Sequence, residues 1–118
     1  MKILYLENHP HFSKAVSKEF LSDFEVTLVP SISKAKEALL NNEFVLFLAD
    51  YDLDDGKGDE FVRFTNEQKL GIPVVAYYSH ERGNAALVDS GATDICPKMD
   101  FKNIMSVIKR VLLERESN

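Results

Sequence analysis

The sequence predicts a single α/β domain in which five parallel strands form one sheet with helices packed on both of its faces. Apolar runs of strand length alternate with stretches of helical period about five times along the chain, which is what successive βα units require. Two of the runs, Ile3 to Leu6 and Phe44 to Ala49, are apolar without interruption, as strands covered on both sides must be. The 118 residues make one domain, spanning 1–118, and at that length roughly two thirds of the chain's surface can be buried around one core.

The elements follow in order. Ile3 to Leu6 is the first strand. Phe12, Val16 and Phe20 then recur every four residues behind Pro10, which is favoured in a first helical turn because its missing N–H costs nothing there. Glu25 to Val29 alternates polar and apolar residues and reads as a strand at a sheet edge. Ile32, Ala35 and Leu39 mark the second helix, Phe44 to Ala49 the third strand, and Phe61 and Phe64 the third helix. Ile72 to Tyr78 and Thr93 to Cys96 supply the last two strands, separated by a weakly patterned helix after Gly83. Asp100 is placed to cap a final helix whose Phe101, Ile104, Met105, Ile108, Val111 and Leu112 form one apolar stripe, and a polar tail runs from Glu114 to Asn118.

Composition narrows the function. With 45% apolar residues the core needs neither disulfides nor a structural metal, and the one cysteine, Cys96, is expected to be buried and reduced. The N-terminal apolar run is too short for a signal peptide, and no stretch approaches the ~20 apolar residues of a membrane span. A cytoplasmic protein with no membrane partner is therefore expected. The net charge of −5 argues against direct nucleic-acid binding, which needs clustered Lys and Arg. Between Asp50 and Glu60 stand six acids (Asp50, Asp52, Asp54, Asp55, Asp59, Glu60) against one Lys57, and any function must account for them.

Right-handed crossovers and short connections leave few ways to wind five parallel strands, and the order 2-1-3-4-5 puts the alternating second strand at an edge. Ligands of such sheets bind beyond the carboxyl ends of the strands, where the winding reverses, here between strands one and three. The residues that follow those strands are Glu7 and Asn8, and Asp50. Two carboxylates about 4 Å apart repel by ~4 kcal/mol at an effective dielectric near 20, enough to raise one pKa by roughly 3 units. A cation is needed to keep both ionised. The candidates are Lys98, which follows the fifth strand, and a divalent metal; hard oxygen ligands of this kind suit Mg2+, whose shell a phosphate oxygen can complete. An Asp carboxylate can itself accept a phosphoryl group. On spacing alone, the same residues also read as a solvated acidic loop beside an ordinary surface lysine.

The segments ILYLENHP, FVLFLADYDLDDGKGDEF, GIPVVAYYSH and GATDICPKMDF, in this order and spacing, resemble those of response-regulator receiver domains, which have the flavodoxin-like 2-1-3-4-5 sheet. The resemblance covers nearly the whole chain. It implies that Asp50 is the phosphoacceptor, that Mg2+ is held by Glu7, Asn8, Asp50 and the backbone carbonyl of Asp52, and that Lys98 contacts the phosphoryl group. It implies a histidine kinase or phosphotransfer protein as donor, and a downstream protein or fused output domain as recipient of the signal. The face made by the fourth helix, fifth strand and fifth helix would meet partners. Such a domain is no enzyme beyond its own aspartyl phosphorylation and dephosphorylation.

Departures from the pattern are specific. Asn8 stands where a second acid is usual, so one formal charge is missing at the metal site. The switch hydroxyl falls on Tyr78, with Ser79 one place later, and the switch aromatic position is the non-aromatic Ile95. Met99 replaces the proline after the lysine while Pro97 precedes it, so a cis peptide in this loop would be Cys96–Pro97. Asn8, Tyr78 and Ile95 carry the case for an alternative, a pseudo-receiver, an interaction module that works without Asp50 phosphorylation; the presence of both Asp50 and Lys98 favours the phosphoacceptor. Other sites fit poorly. An EF-hand loop begun at Asp50 has Asp55 and Phe61 where Gly and Glu belong, the turn from Leu6 to Phe12 holds no glycine for a dinucleotide phosphate, and His9, His11, His80 and Cys96 lack zinc-ligand spacing.

Overall fold

A computed structural model describes residues 1–116, so Ser117 and Asn118 of the polar tail lie outside the described residues. The strands are β1 (Lys2–Leu6), β2 (Glu25–Val29), β3 (Leu46–Ala49), β4 (Val74–Ala76) and β5 (Asp94–Ile95), and the helices α1 (Pro10–Phe20), α2 (Ile32–Ala38), α3 (Gly58–Glu67), α4 (Glu81–Asp89) and α5 (Ile104–Glu116). All five strands pair in parallel in the order 2-1-3-4-5. A two-residue hairpin, Asp52–Leu53 against Gly56–Lys57, projects between β3 and α3.

The uninterrupted apolar runs come from a period of two with both faces covered. Leu4, Leu6, Phe47 and Ala49 point to one side and pack on Ile32 and Ala35 of α2, Phe61 and Val62 of α3 and Leu87 of α4. Ile3, Tyr5, Leu46 and Leu48 point to the other and pack on Val16 of α1 and Ile104, Ile108 and Val111 of α5. Full burial of each such side chain contributes about 1.5–3 kcal/mol, so both layers are needed to offset the entropy of ordering the chain. β2, at the edge, buries only Val29 fully.

Two expectations change. Asp100 does not cap α5: it lies in a 3-10 turn, Lys98–Asn103, with φ −100° and ψ 31°, and α5 starts four residues later at Ile104. Phe101 explains the delay, because its ring packs edge-on against Phe12 and Phe20 and so holds the turn against α1. No peptide bond among the described residues is cis, Cys96–Pro97 included. The third to fifth strands are shorter than their apolar runs, yet the ladder continues past β5: Thr93 N–H donates to Val74 O at 2.7 Å and Cys96 N–H to Ala76 O at 2.8 Å. Among the described residues no helix is long and apolar enough to cross a membrane.

Candidate functional site

The sheet itself brings the first two carboxylates together. Beyond β1, Glu7 N–H donates to Val29 O at 2.9 Å; beyond β3, Asp50 N–H donates to Leu6 O at 3.0 Å. Both residues are therefore held by the same ladder that forms the core, and both are buried, Asp50 with 1% of its surface exposed. Lys98 reaches them from the turn after β5, where its N–H donates to Tyr78 O at 3.2 Å. Its Nζ lies 2.5 Å from Glu7 Oε1 and 3.1 Å from Asp50 Oδ2, with the Phe12 ring 5.2 Å away on its flank. The other Asp50 oxygen, Oδ1, accepts Tyr51 N–H at 2.8 Å.

Burial is the largest influence on Asp50, and Glu7 beside it adds to the effect; against the opposing pull of Lys98 the carboxyl is still pushed up to about 7. The expected repulsion is thus real but second to desolvation. The consequence for stability has a definite sign. Unfolded, Asp50 titrates near 4; folded, near 7; between these values the folded chain binds the extra proton, so this group's contribution falls as pH rises through that window and stays at its lowest above it. Asp50→Asn, uncharged throughout, is expected to be more stable than the parent by on the order of 2–4 kcal/mol at pH 8 and about equal to it near pH 4. Urea unfolding of both proteins at the two pH values, in a chelator, checks this.

One side of the Glu7–Asp50 pair carries acceptors with no donor. Glu7 Oε2 and Asn8 Oδ1 are buried without a hydrogen-bond partner among the described residues. Buried acceptors left in this way cost about 1–3 kcal/mol each unless a cation or water meets them. Carboxylate and amide oxygens are the hard ligands Mg2+ takes, so these residues fit that ion. They fit it without a surplus: among the described residues no three His, Cys, Asp or Glu side chains converge as a metal cluster, because Asn8 stands in the place of a third acid.

The acidic run turns out not to be one site. Asp52, half exposed, pairs with Lys57 Nζ and accepts the Tyr78 hydroxyl, and these partners, Lys57 first, hold its carboxyl below the usual range. Asp55 accepts Ile32 N–H at 2.7 Å and Ser33 N–H at 3.0 Å and so satisfies free donors at the start of α2, together with Ser31. Asp59 pairs with Arg63 at 2.7 Å. Only Asp50 of the six is deeply buried.

Of the two candidate hydroxyls, that of Tyr78 donates to the half-exposed Asp52 carboxylate, and Ser79 is exposed on the surface. The bond to Asp52 pushes the phenol up to about 12. Asn84 clamps the Tyr78 backbone, accepting its N–H at 3.1 Å and donating to its carbonyl at 2.9 Å. The ring lies on Gly83, where a Cβ would come within 2.2 Å of it, and against Tyr51 at 5.4 Å between centroids. Sequence reasoning missed Tyr51, Gly83 and Asn84 as neighbours of the site. A glycine inside the first turns of a helix, about 1 kcal/mol worse than alanine there, was the available signal of a close approach. Ile95 packs with the α2–α4 layer of the core.

The remaining polar candidates are inert or apart. His9, His11 and His80 are exposed, and the buried Cys96 thiol is pushed up to about 11 chiefly by burial, which keeps it in the unreactive protonated form.

No family model matches the sequence, and no curated protein matches it. Solved structures do. A CheY-like response regulator receiver domain protein from Methanospirillum hungatei superposes with a TM-score of 0.87 at 18% identity, over 98% of this chain and 96% of that one. A two-component response regulator from Clostridium difficile gives 0.84 at 18% identity, over 100% and 99%. A response regulator from Thermotoga maritima, in complex with Mg2+ and BeF, gives 0.82 at 14% identity, over 92% and 96%. At these identities the likeness establishes the fold: five parallel strands wound as in receiver domains.

Proposed function

We propose that this chain, built on the receiver fold, is the phosphoacceptor of a two-component pathway. Asp50 takes a phosphoryl group from a histidine kinase or phosphotransfer protein: a carboxylate oxygen bonds to phosphorus as the phosphorus–nitrogen bond of a phosphohistidine breaks and its electrons return to the imidazole. The observation that carries this reading is the Lys98 ammonium, held in a buried setting 3.1 Å from Asp50 Oδ2 and 2.5 Å from Glu7 Oε1, where it can neutralise charge on transferred oxygens. Glu7, Asn8, Asp50 and the backbone carbonyl of Asp52 would hold Mg2+, which when bound offsets the negative charge of the phosphoryl oxygens. Lys98 and Tyr51 N–H orient the nucleophile, and burial keeps bulk water from it. Burial and Glu7 push the Asp50 carboxyl up to about 7, and a bound cation would oppose that shift and favour its attacking, deprotonated form.

A cytoplasmic setting, and a downstream protein or fused output domain as recipient, belong to the same reading. Val88 of α4 and Met99 after β5 are exposed apolar residues on the elements where a partner would meet it. No activity on another substrate is proposed. Incubation with Mg2+ and a small phosphoryl donor should add the mass of one phosphoryl group to the parent chain and nothing to Asp50→Asn. A parent chain that stays folded and gains no mass would reject the phosphoacceptor and leave the pseudo-receiver, an interaction module independent of Asp50.

A further inference from the structure

We infer that Phe12 is a positioning residue for phosphoryl transfer, the face of its ring holding the Lys98 ammonium against Glu7 and Asp50. The inference rests on the phosphoacceptor reading and deepens it, since Lys98 is the group that would meet the transferred oxygens. Phe12 heads the apolar stripe of α1 but, unlike Val16, is only partly buried. Lys98 Nζ lies over its ring, 5.2 Å from the centroid. The ammonium needs that support. Lysine carries its charge on a flexible four-carbon stem with three N–H donors to place. Glu7 and Asp50 meet Nζ at 2.5 and 3.1 Å, and the side chain is 14% exposed. The backbone behind it is a weak anchor: its N–H donates to Tyr78 O at 3.2 Å, and a 3-10 turn follows, whose hydrogen bonds are poorer than those of an α-helix.

The ring supplies what this arrangement lacks. Its negative face attracts a cation within about 6 Å and keeps water from that flank. A polar side chain in the same place would take an N–H that a phosphoryl oxygen needs, whereas the ring leaves the donors free. The ring is itself fixed at both ends. Phe12 stands in the first turns of α1, set by Pro10 and by Ser13 N–H, which donates to His9 O at 3.0 Å. On one side the ring packs against Tyr77, at 6.0 Å between centroids, and on another it meets Phe101 edge-on at 6.2 Å. Tyr77 is fully buried, and its N–H donates to Ala49 O at 2.8 Å, one residue before Asp50. Phe101 belongs to the turn that begins at Lys98. One ring therefore joins the ammonium, the turn that carries it and the strand end that carries the nucleophile.

The test follows the phosphoryl mass gain of the full chain with Mg2+ and phosphoramidate, whose phosphorus–nitrogen bond stands for that of phosphohistidine. Phe12→Leu should react about five-fold more slowly, the size expected for loss of one partly desolvated ring–ammonium contact. Phe64→Leu removes a closer contact of the same kind, with Lys36 at 4.5 Å between α2 and α3, and should react as the parent does. Phenylalanines with one, two and three ring fluorines at position 12 keep the ring's shape while draining its face. The rate should fall stepwise along that series, a trend that packing alone would not produce. A second readout needs neither donor nor metal: the Lys98 ammonium protons, followed by NMR, should exchange with water about five-fold faster in Phe12→Leu. If circular dichroism shows Phe12→Leu poorly folded, the fluorine series decides. A parental rate in a folded Phe12→Leu, or a flat fluorine series, overturns the inference, while mass gain by the parent leaves the phosphoacceptor standing. A parent chain that gains no phosphoryl group overturns both.

Discussion

Replacing Gly58 with alanine should cost about 3 kcal/mol of stability and at least a hundred-fold in Asp50 phosphorylation, because the added methyl has nowhere to go. A Cβ at this position would stand 1.9 Å from the carbonyl oxygen and 3.1 Å from the carbonyl carbon of Asp50, with Leu87 Cδ2 at 3.3 Å on its far side. Both near atoms are backbone, so no rotamer change relieves the contact. The strand end or the start of α3 must move by roughly 1.5 Å, and misplacement on that scale is enough to spoil a transfer geometry. Gly58 is also tied directly, its N–H donating to Tyr51 O at 2.6 Å, and Tyr51 N–H is the donor to Asp50 Oδ1. Gly83 makes a useful contrast, since the obstacle there is the ring of Tyr78, a side chain that can be trimmed. Urea unfolding together with the phosphoryl mass gain measures both effects; an alanine variant with parental stability would mean that the loop after β3 is far more pliable than its hydrogen bonds imply.

Lys98→Ala is expected to be the most damaging change of a charged side chain, at about 3–5 kcal/mol near pH 8, since it strands Glu7 and Asp50 together in the interior with no cation. The loss must depend on pH in one direction. As pH falls through the raised titration of Asp50, near 7 in the parent and higher once the ammonium is gone, the carboxyl takes a proton and the repulsion with Glu7 lapses. Stability of the variant should therefore fall more steeply than the parent's between pH 5 and pH 8. Addition of Glu7→Gln should recover much of the deficit at pH 8, whereas Lys57→Ala, which frees only a half-exposed Asp52, should cost little at either pH. Unfolding midpoints at the two pH values decide the matter, and a pH-independent loss would show that Lys98 contributes packing over Phe12 rather than charge.

Much of the site is legible in the sequence. Continuous apolar runs at β1 and β3 reported strands buried on both faces, connectivity left few windings, and the one with the alternating β2 at an edge put Glu7, Asn8 and Asp50 at one end of the sheet. What was illegible followed from distances that the chain does not encode locally. The six acids from Asp50 to Glu60 read as one charged patch, yet four of them separate into a buried carboxylate, a Tyr78–Lys57 partner, a cap for α2 and a helix-surface ion pair, while Asp54 and Glu60 are exposed. Asp100 had the residue type of a cap and the position of one, but the packing of Phe101 between Phe12 and Phe20 prevailed over that local preference.

By itself, then, the sequence determined the fold class, the strand order and which residues lie at the reversal of the sheet, because apolar periodicity and loop length act along the chain and survive any detail of packing. Tertiary structure decided the rest: that burial more than Glu7 raises Asp50, that the Tyr78 hydroxyl is engaged by Asp52 while Ser79 is exposed, and that Gly58 and Gly83 are steric requirements. Those outcomes depend on desolvation and on contacts of a few ångströms between segments far apart in sequence, and these exist only once the sheet has closed over its two layers of helices.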